Sequence, residues 1–381
     1  TRWYRRRQRQ MCIRDRNNTI GGDTPAERNV LSGNGWDGAG IHGSETISNT
    51  VTGNYIGLAA NGVDDLGNDY HGVYIYGNAK TNTIGGMAVG ERNLISENGR
   101  NGVYIAGAET TGNIILGNFI GTDVSGLLDK GNFWEGVALT DGAHDNTIGP
   151  NNIISGNDLD GVYIFGTDTS SNTITGNYIG TDYGGLHPVS NANEGVFILG
   201  GASDNTIGPD NVISGNGDRG VYIKDDGTDG NTITGNLIGL KVNGTEALGN
   251  GNNGITLSEG AQNNTIGPDN VISGNNGEGV RLDTNETTSN AIIGNYIGTS
   301  EDGMTAVGNG LRGVFIFHAL NNTIGGTSSD ERNVISGNRF SGVNIMGAGS
   351  MGYTIAGNYI GLAADGDTDL GNGSYGCLLY T

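Results

Sequence analysis

The most constraining feature of this sequence is a local phrase that returns twelve times: an Asn, three further residues and a Gly, followed by a short apolar run. A second phrase, Asn-Thr-Ile or a close variant, recurs between these at intervals of 26 to 33 residues, with Tyr353 in the Asn position of its last copy. A repeat of this length decides the fold before any other argument. The repeated residues of the first phrase are Asn34, Asn68, Asn98, Asn132, Asn157, Asn191, Asn216, Asn250, Asn275, Asn309, Asn338 and Asn372, with Gly38, Gly72, Gly102, Gly136, Gly161, Gly195, Gly220, Gly254, Gly279, Gly313, Gly342 and Gly376.

Each repeat contains three short apolar runs that are bounded by Gly or Asn and rich in Ile, Val, Thr and Tyr. The runs are too short for helices and are not spaced at 3.6 residues, so we interpret them as strands. Three strands in a unit of nearly constant length predict an all-β chain folded as a single parallel β-helix, or β-solenoid, of about twelve coils. We expect the β-helix to span 17–376. The basic segment 1–16 and the tail 377–381 match no part of the repeat and are predicted to lie outside it.

Insertions into the repeat alternate between two places. Odd coils carry extra residues just after Asn-Thr-Ile, as in 21–28 and 85–92, whereas even coils carry a loop after the second strand, as in 57–67 and 121–131. Loops of one class should therefore emerge along one edge of the rod at every second coil. Insertions on one face of a solenoid are where binding usually resides.

The repeated Asn and Gly residues are predicted to be structural. Asn side chains stacked in register can form ladders of amide hydrogen bonds along the rod. Both residue types also tolerate the left-handed backbone that a sharp corner between strands requires. We therefore expect both rows to shape the corners of the coil rather than to bind a ligand.

The charge of the chain disfavours several classes of partner. The formal net charge is -21, and the first 16 residues contribute +6, so the rest carries -27. Such an acidic body disfavours nucleic acid and anionic membranes. No stretch approaches the ~18 apolar residues of a membrane span, so no membrane insertion is expected. The two cysteines, Cys12 and Cys377, lie in the terminal segments and form neither a disulfide framework nor a zinc motif.

Several segments resemble a known family of repeats. NTITGNYIGTD (172–182), RNVISGN (332–338) and GVYIFG (161–166) are similar to the right-handed β-helix repeats of bacterial secreted and surface proteins in the pectin-lyase-like group. The resemblance covers nearly all of 17–376. It implies a right-handed coil and an extracellular or cell-surface location. Flanking domains in a longer parent chain are expected because the capping elements that the ends of a β-helix need are not visible in the sequence. That group includes lyases, hydrolases, epimerases, adhesins and phage tailspikes, so the resemblance leaves the activity open.

Candidate catalytic and metal-binding residues are sparse. Glycoside hydrolases need carboxylates that converge on one sugar. Acidic residues follow the third strand of several coils, but adjacent Asp residues at a strand end more often serve turns. His42 is the only histidine predicted on a strand, and it is interpreted as an exposed surface residue and not as a catalytic base. We name no catalytic residue and expect no cofactor, apart from weak Ca²⁺ binding by loop acids such as Asp123 and Asp182. The acids considered after third strands are Asp168, Asp225, Asp226 and Asp283.

An outward aromatic band is the strongest sign of a binding site. In Gly-Val-Tyr-Ile-x-Gly the Val and Ile point inward, so the Tyr and x point outward. Stacking coils two to seven then places aromatic side chains in two neighbouring outward rows, a patch of the kind that usually binds something. The alternative is that Tyr and Phe simply cover a sheet or face another domain. The predicted substrate-binding residues are Tyr74, Tyr76, Tyr104, Tyr163, Phe165, Phe197 and Tyr222.

The sequence thus predicts a rigid extracellular β-helical segment of a larger secreted or cell-surface bacterial protein, with a polysaccharide as the expected partner of the aromatic band. The alternative is a polysaccharide-modifying enzyme (a lyase, a glycoside hydrolase or a C5-epimerase) working on the same face. An active site should break the repeat in adjacent coils with unusual polar residues. The coils here are nearly interchangeable, which favours the first hypothesis. The segment KDDGTDG (224–230) is a weak exception to this regularity, because it concentrates polar residues in one coil.

Overall fold

The three apolar runs of each repeat form three strands, and the strands of successive coils pair in parallel. The computed structural model describes residues 15–347 and 351–380, and over these residues it contains three parallel sheets of twelve strands each. Every strand between the first and last of its sheet pairs with the strands three places before and after it in the chain, so each coil adds one strand to each sheet. The predicted parallel β-helix of about twelve coils is confirmed.

The first sheet contains the Asn-Thr-Ile runs, the second sheet contains the two-residue runs that follow, and the third sheet contains the four-residue runs after the repeated Gly. The first sheet consists of Thr19–Gly21, Thr50–Thr52, Thr83–Gly85, Ile114–Leu116, Thr147–Ile148, Thr173–Ile174, Thr206–Ile207, Thr232–Ile233, Thr265–Ile266, Ala291–Ile292, Thr323–Gly325 and Thr354–Ala356. The second sheet consists of Val30–Leu31, Tyr55–Ile56, Leu94–Ile95, Phe119–Ile120, Ile153–Ile154, Tyr178–Ile179, Val212–Ile213, Leu237–Ile238, Val271–Ile272, Tyr296–Ile297, Val334–Ile335 and Tyr359–Ile360. The third sheet consists of Ala39–His42, Val73–Tyr76, Val103–Ala106, Val137–Thr140, Val162–Phe165, Val196–Leu199, Val221–Lys224, Ile255–Ser258, Val280–Asp283, Val314–Phe317, Val343–Met346 and Cys377–Tyr380.

The core is a column of aliphatic side chains inside the coil. In the strand Val221–Lys224, Val221 and Ile223 are fully buried whereas Tyr222 and Lys224 are half-buried on the outside, as the period of two requires. Among the described residues the one helical element is the 3₁₀ turn Val89–Glu91. That part of the chain contains no helix long and apolar enough to cross a membrane.

Ladders of Asn side chains run along three corners of the coil. In each ladder the Nδ2 of one Asn donates to the Oδ1 of the Asn one coil further on, as from Asn157 to Asn191 at 2.9 Å. The ladders through Asn18 and Asn34 are the two that the sequence predicts, and they are confirmed. The third was not predicted, and its members precede the second strand of each coil. They are Asn29, Asn54, Asn93, Asn118, Asn152, Asn177, Asn211, Asn236, Asn270, Asn295, Asn333 and Asn358.

The repeated Gly residues serve a different purpose from the one expected. Left-handed backbone was the predicted reason, but neither this Gly row nor the ladder Asn residues lie in that region. A Cβ on Gly161 would instead lie 2.6 Å from the carbonyl oxygen of Gly195 and 2.7 Å from Cγ2 of Ile179. The row is therefore required because successive coils approach too closely for a side chain. Left-handed residues occur elsewhere in the coil, as at Gly180 (φ 88°) and Asp204 (φ 55°).

The two terminal segments that were predicted to lie outside the β-helix, 1–16 and 377–381, differ in how much of each the structure describes. Of 377–381, the residues Cys377–Tyr380 form the last strand of the third sheet, in parallel register with Val343–Met346, although this sequence departs from the repeat. Parallel pairing uses backbone groups, which any sequence can offer. The prediction for 1–16 falls almost entirely outside the described residues.

Candidate functional site

The outer surface of the third sheet carries the predicted aromatic rows in register. We call the part formed by coils two to seven the aromatic face. Parallel pairing links Tyr74 to Tyr104, and Tyr104 to Ala138 in the next coil. The same row continues through Tyr163, Phe197 and Tyr222. All seven predicted substrate-binding residues lie on this face.

The rings of the aromatic face form two groups that are separated by one coil. In the first group Tyr74 stacks on Tyr104 with ring centroids 5.1 Å apart. In the second group Phe197 stacks on Tyr222 at 5.0 Å with the rings 2° from parallel. The separating coil carries Ala138 in the same row, so a ring is missing there.

The missing ring leaves a cleft, which we call the aromatic cleft. Its volume is about 250 Å³. The hydroxyl of Tyr104 bonds the hydroxyl of Thr140 at 2.8 Å, which fixes the ring on one side of the cleft. The lining residues are His71, Arg100, Asn101, Tyr104, Trp134, Glu135, Ala138, Thr140 and Tyr163.

A wall of large side chains along one side of the aromatic face was missed by the sequence reasoning. It comes from the second of the three residues between the repeated Asn and Gly: Trp36, Tyr70, Arg100 and Trp134 in the first four coils. Trp36 stacks on Tyr70 at 4.9 Å. The guanidinium of Arg100 lies 4.2 Å from the ring centroid of Tyr70 and 4.9 Å from that of Trp134, within cation–π range.

The third residue between the repeated Asn and Gly forms a polar row at the foot of this wall, also missed from sequence. It contains His71, Asn101, Glu135, Asp160 and Glu194 in successive coils. Nδ2 of Asn101 donates to Glu135, and the backbone N–H of Glu194 donates to Oδ1 of Asp160 at 3.0 Å. Burial raises the pKa of Glu135. Burial, reinforced by the neighbouring Glu194, raises the pKa of Asp160 to about 8, so the folded state favours its protonated form.

Two atoms of this polar row make no hydrogen bond of normal geometry among the described residues, although the two side chains lie close enough to interact with each other. They are Nδ1 of His71 and Oδ1 of Asn101, both buried, on residues that line the aromatic cleft. Burial, together with the charge of Arg100, lowers the pKa of His71 to about 4, so its imidazole is neutral at pH 7. A buried polar atom without a partner is costly. A ligand hydroxyl could both donate to and accept from this pair.

The acids considered from sequence serve turns and ion pairs. Asp225 has left-handed backbone (φ 77°), and its carboxylate accepts from the N–H of Gly200 at 3.2 Å. Asp283 forms an ion pair with Arg281 at 2.8 Å. Asp168 and Asp225 follow strands of the fifth and seventh coils and Asp283 ends a strand of the ninth, so a full coil separates each from the next. His42 lies on the outer surface of its strand beside Tyr76, with ring centroids 5.0 Å apart.

The two loop acids proposed for Ca²⁺ are occupied within their own loops. Asp123 accepts from the hydroxyl of Ser125 and from two backbone N–H groups. Asp182 accepts from the N–H of Leu186 and bonds the ring of His187. Burial alone would raise the pKa of both carboxyls, but these hydrogen bonds lower it. Both side chains thus close their loops.

A family model described as periplasmic copper-binding protein (NosD) matches residues 16–239 and 189–318. No curated protein of similar sequence was found. Among solved structures, the Dettilon tailspike protein (gp208) matches at 14% identity and a TM-score of 0.53, over 92% of this chain and 61% of the tailspike. The likeness shows a shared fold, and this chain spans about three-fifths of the tailspike's length.

Two alginate epimerases are also similar. The A-module of mannuronan C-5 epimerase AlgE4 from Azotobacter vinelandii has 15% identity and a TM-score of 0.46, over 87% of both chains. The periplasmic alginate epimerase AlgG has 13% identity and a TM-score of 0.41, over 89% of this chain and 74% of the epimerase.

The described residues do not fit the copper that the family description names. Copper in proteins is held mainly by His, Cys and Met side chains. Within 15–347 and 351–380 no group of three or more His, Cys, Asp or Glu residues is placed to hold a metal ion. Cys377 is exposed in the last coil, and the five histidines lie at unrelated positions of the repeat.

Proposed function

The chain belongs to the NosD family of periplasmic proteins, and from this premise we propose that it is a rigid β-helix that binds a polysaccharide in the aromatic cleft. The predicted location outside the cytoplasm, extracellular or at the cell surface, is confirmed by the family. The fold is one that a phage tailspike shares. Polysaccharide binding and the roles of the aromatic residues are the proposal.

The gap in the aromatic row at Ala138 is the observation that carries this proposal. A sugar ring has apolar C–H faces that pack on aromatic rings and hydroxyls that need hydrogen-bond partners. Tyr104, Tyr163 and Trp134 supply aromatic surface around the gap. At the base of the gap, Nδ1 of His71 can donate or accept a hydrogen bond, and Oδ1 of Asn101 can accept one. Such a combination of apolar walls and a few convergent polar groups is typical of small-ligand sites.

Filling the gap is expected to weaken polysaccharide binding at least tenfold without unfolding the protein. In Ala138→Phe the new ring continues the outward row and occupies the volume that the sugar would take. Binding of the full-length chain to a glycan array identifies the polysaccharide, and calorimetry with that glycan should then show at least a tenfold weaker affinity for the variant. Changing Tyr104, Tyr163 and Tyr222 together to Ala should have the same effect by removing the stacking surface.

The matched control is Thr232→Phe, which adds a ring at an outward, half-buried position of the first sheet. It should bind like the unmodified protein and unfold at the same denaturant concentration. If Ala138→Phe and the triple variant bind as tightly as this control, the aromatic cleft is not the polysaccharide site.

Polysaccharide cleavage is a second candidate function, favoured by the carboxyl pair Asp160 and Glu194. The pKa of Asp160 is raised, as a general acid requires, whereas Glu194 forms an ion pair with Arg219 at 2.7 Å. Strands of successive coils are ~4.8 Å apart. The two carboxyl groups themselves are closer than the strands, because a hydrogen bond to Glu194 contributes to the raised pKa of Asp160. The pair borders Tyr163 in the same coil as Asp160.

An enzyme of this kind should release oligosaccharides from the polysaccharide that the array identifies. Asp160→Asn is then expected to lower the rate at least 100-fold, because it removes the general acid. Asp158→Asn, at an exposed position two residues earlier, should keep the full rate. If the unmodified protein forms no product from a polysaccharide that it binds, it is a binding protein and not a hydrolase.

A further inference from the structure

A groove follows the outer surface of the second sheet, away from the aromatic face. Its floor is the outward residue of each two-residue strand, such as Tyr178, Val212 and Leu237. One wall is formed by the odd-coil turns that precede these strands, and the other by the even-coil loops that follow them. Those loops join into a continuous column through backbone hydrogen bonds, such as that from Val242 N to Gly185 O at 3.1 Å. The sequence predicted both sets of insertions but not the groove between them.

Arginines cover the floor rings near both ends of the groove, and the floor between them is open. Arg92 lies 3.9 Å above the ring of Phe119, and Arg332 lies 4.3 Å above the ring of Tyr359. In the three odd coils between them the equivalent residue is Asn151, Asp210 or Asp269, in a shorter turn after a Gly-Pro pair. These residues leave the floor of the following even coil uncovered. The uncovered floor residues are Tyr178, Leu237 and Tyr296, all half-buried.

The open part consists of three hollows that merge into one another. A hollow of about 370 Å³ extends from Tyr178 to Tyr296. A second, of about 430 Å³, continues beyond it and shares Asp269 and Tyr296. A third, of about 270 Å³, continues in the opposite direction and shares Tyr178. The result is an extended channel over about six coils and not a single closed pocket.

Between Arg92 and Arg332, which line the two end hollows, the free charged groups of the groove are acidic. Asp210 and Asp269 are exposed, and their carboxylates have no hydrogen-bond or ion-pair partner among the described residues. Glu301 lines the opposite wall. These charges repel a polyanion but can accept hydrogen bonds from neutral hydroxyl groups. The occupant should therefore be neutral or cationic.

The groove repeats its features once every two coils, or about 9.6 Å at ~4.8 Å per coil. Each period contains one floor position for a ring and one carboxylate or amide on the wall. In an extended glycan with equatorial 1,4-linkages, two sugar rings span about this distance, and hydroxyls of equivalent rings face the same side. An extended basic peptide repeats its side chains every two residues, ~6.6–6.8 Å, and does not match.

We infer that this groove is a second binding site, which takes a neutral, extended 1,4-linked β-glycan along the rod axis. The sugar rings pack on Tyr178 and Tyr296, and their hydroxyls donate to Asp210 and Asp269. Leu237 occupies the floor position between Tyr178 and Tyr296 at which the two-coil period predicts a third aromatic ring. The inference does not depend on the aromatic cleft, which lies on another sheet.

The test is calorimetric titration of the full-length chain with cellohexaose, in parallel with hexagalacturonate and hexalysine. Cellohexaose should bind, and changing Tyr178 and Tyr296 together to Ala should weaken it about tenfold or more. Because the ring of Tyr178 also contacts the loop at Gly185, the second variant adds a ring instead of removing one. Leu237→Tyr completes the two-coil period and should tighten cellohexaose binding severalfold.

The matched control is Thr232→Phe, which adds a ring on the outer surface of the first sheet and should leave cellohexaose binding unchanged. The inference is overturned if cellohexaose does not bind, if hexagalacturonate or hexalysine binds more tightly, or if Leu237→Tyr has no effect or weakens the affinity. If cellohexaose binding is lost in Ala138→Phe but kept in the Tyr178 and Tyr296 double variant, the glycan binds in the aromatic cleft. That result would overturn the groove site and leave the proposed function intact.

Discussion

Replacing Asn191 by leucine is expected to lower the free energy of unfolding by about 3–9 kcal/mol, at ~1–3 kcal/mol for each of three buried polar groups that lose their partner. Oδ1 of Asn191 accepts from both the backbone N–H and Nδ2 of Asn157, at 3.1 and 2.9 Å. Its Nδ2 donates to Oδ1 of Asn216 at 2.9 Å. All three residues are buried, so water cannot replace the lost bonds without opening the corner of the coil.

The matched control for this prediction is Asn18→Leu, at the exposed end of another ladder. Asn18 donates to Asn49, but no ladder bond to Asn18 from a preceding Asn occurs within the described residues. Its replacement should therefore cost much less. Urea unfolding followed by circular dichroism gives both values, and limited proteolysis shows whether the coils near residue 191 open first, as nearest-neighbour stacking predicts. Equal midpoints for the two variants would contradict a stabilising role for the interior of the ladder.

The architecture could be predicted from sequence because its determinants repeat in every coil. Each local pattern occurs many times: Asn-Thr-Ile, the phrase with Asn and Gly, and the outward Tyr. A pattern that would be ambiguous in one copy therefore predicts the fold reliably when it repeats. The third Asn ladder was equally visible in the sequence, since Asn54 and its equivalents precede each strand of the second sheet. It was missed because neighbouring Asn and Gly residues were assigned to turns in general.

The reason for the repeated Gly could not be predicted from local sequence. At Gly161 the constraint comes from Gly195 and Ile179, which belong to later parts of the chain. Local preference suggested left-handed backbone, because that is the commonest reason for Gly at a corner. Close approach between coils depends on how tightly they stack, and only the structure shows that.

The candidate sites were predictable only in part. The outward direction of Tyr104 and Tyr163 follows from the period of two in a strand. The wall at Trp134 and the polar row at Asp160 come from three-residue turns, which have no period that fixes where side chains point. The open groove depends on whether an odd-coil residue covers a ring in the next coil, as Arg92 covers Phe119. Such contacts join residues of different coils and are not encoded by either segment alone.

The buried carboxyl group of Asp160 is expected to make the protein less stable as the pH rises from about 4 to about 8. The folded state holds a proton on Asp160 up to a pKa of about 8, whereas an unfolded Asp releases it near its ordinary value of 3.8. Between these values the folded state binds more protons, so the free energy of unfolding falls by up to ~1.4 kcal/mol per pH unit. The contribution is complete below pH 4 and is lost above pH 8.

Asp160→Asn should remove this pH dependence, because an amide stays neutral and its Oδ1 can still accept the N–H of Glu194. Urea unfolding at pH 5, 7 and 9 should show a steep loss of stability for the unmodified protein and a shallower one for the variant, which is then the more stable of the two at pH 9. Asp158→Asn, at the exposed neighbouring position, should follow the unmodified protein at all three values. Parallel slopes for Asp160→Asn and the unmodified protein would mean that Asp160 is already ionised in the folded state. The general-acid role in the second candidate function would then be lost as well, whereas binding in the aromatic cleft would be unaffected.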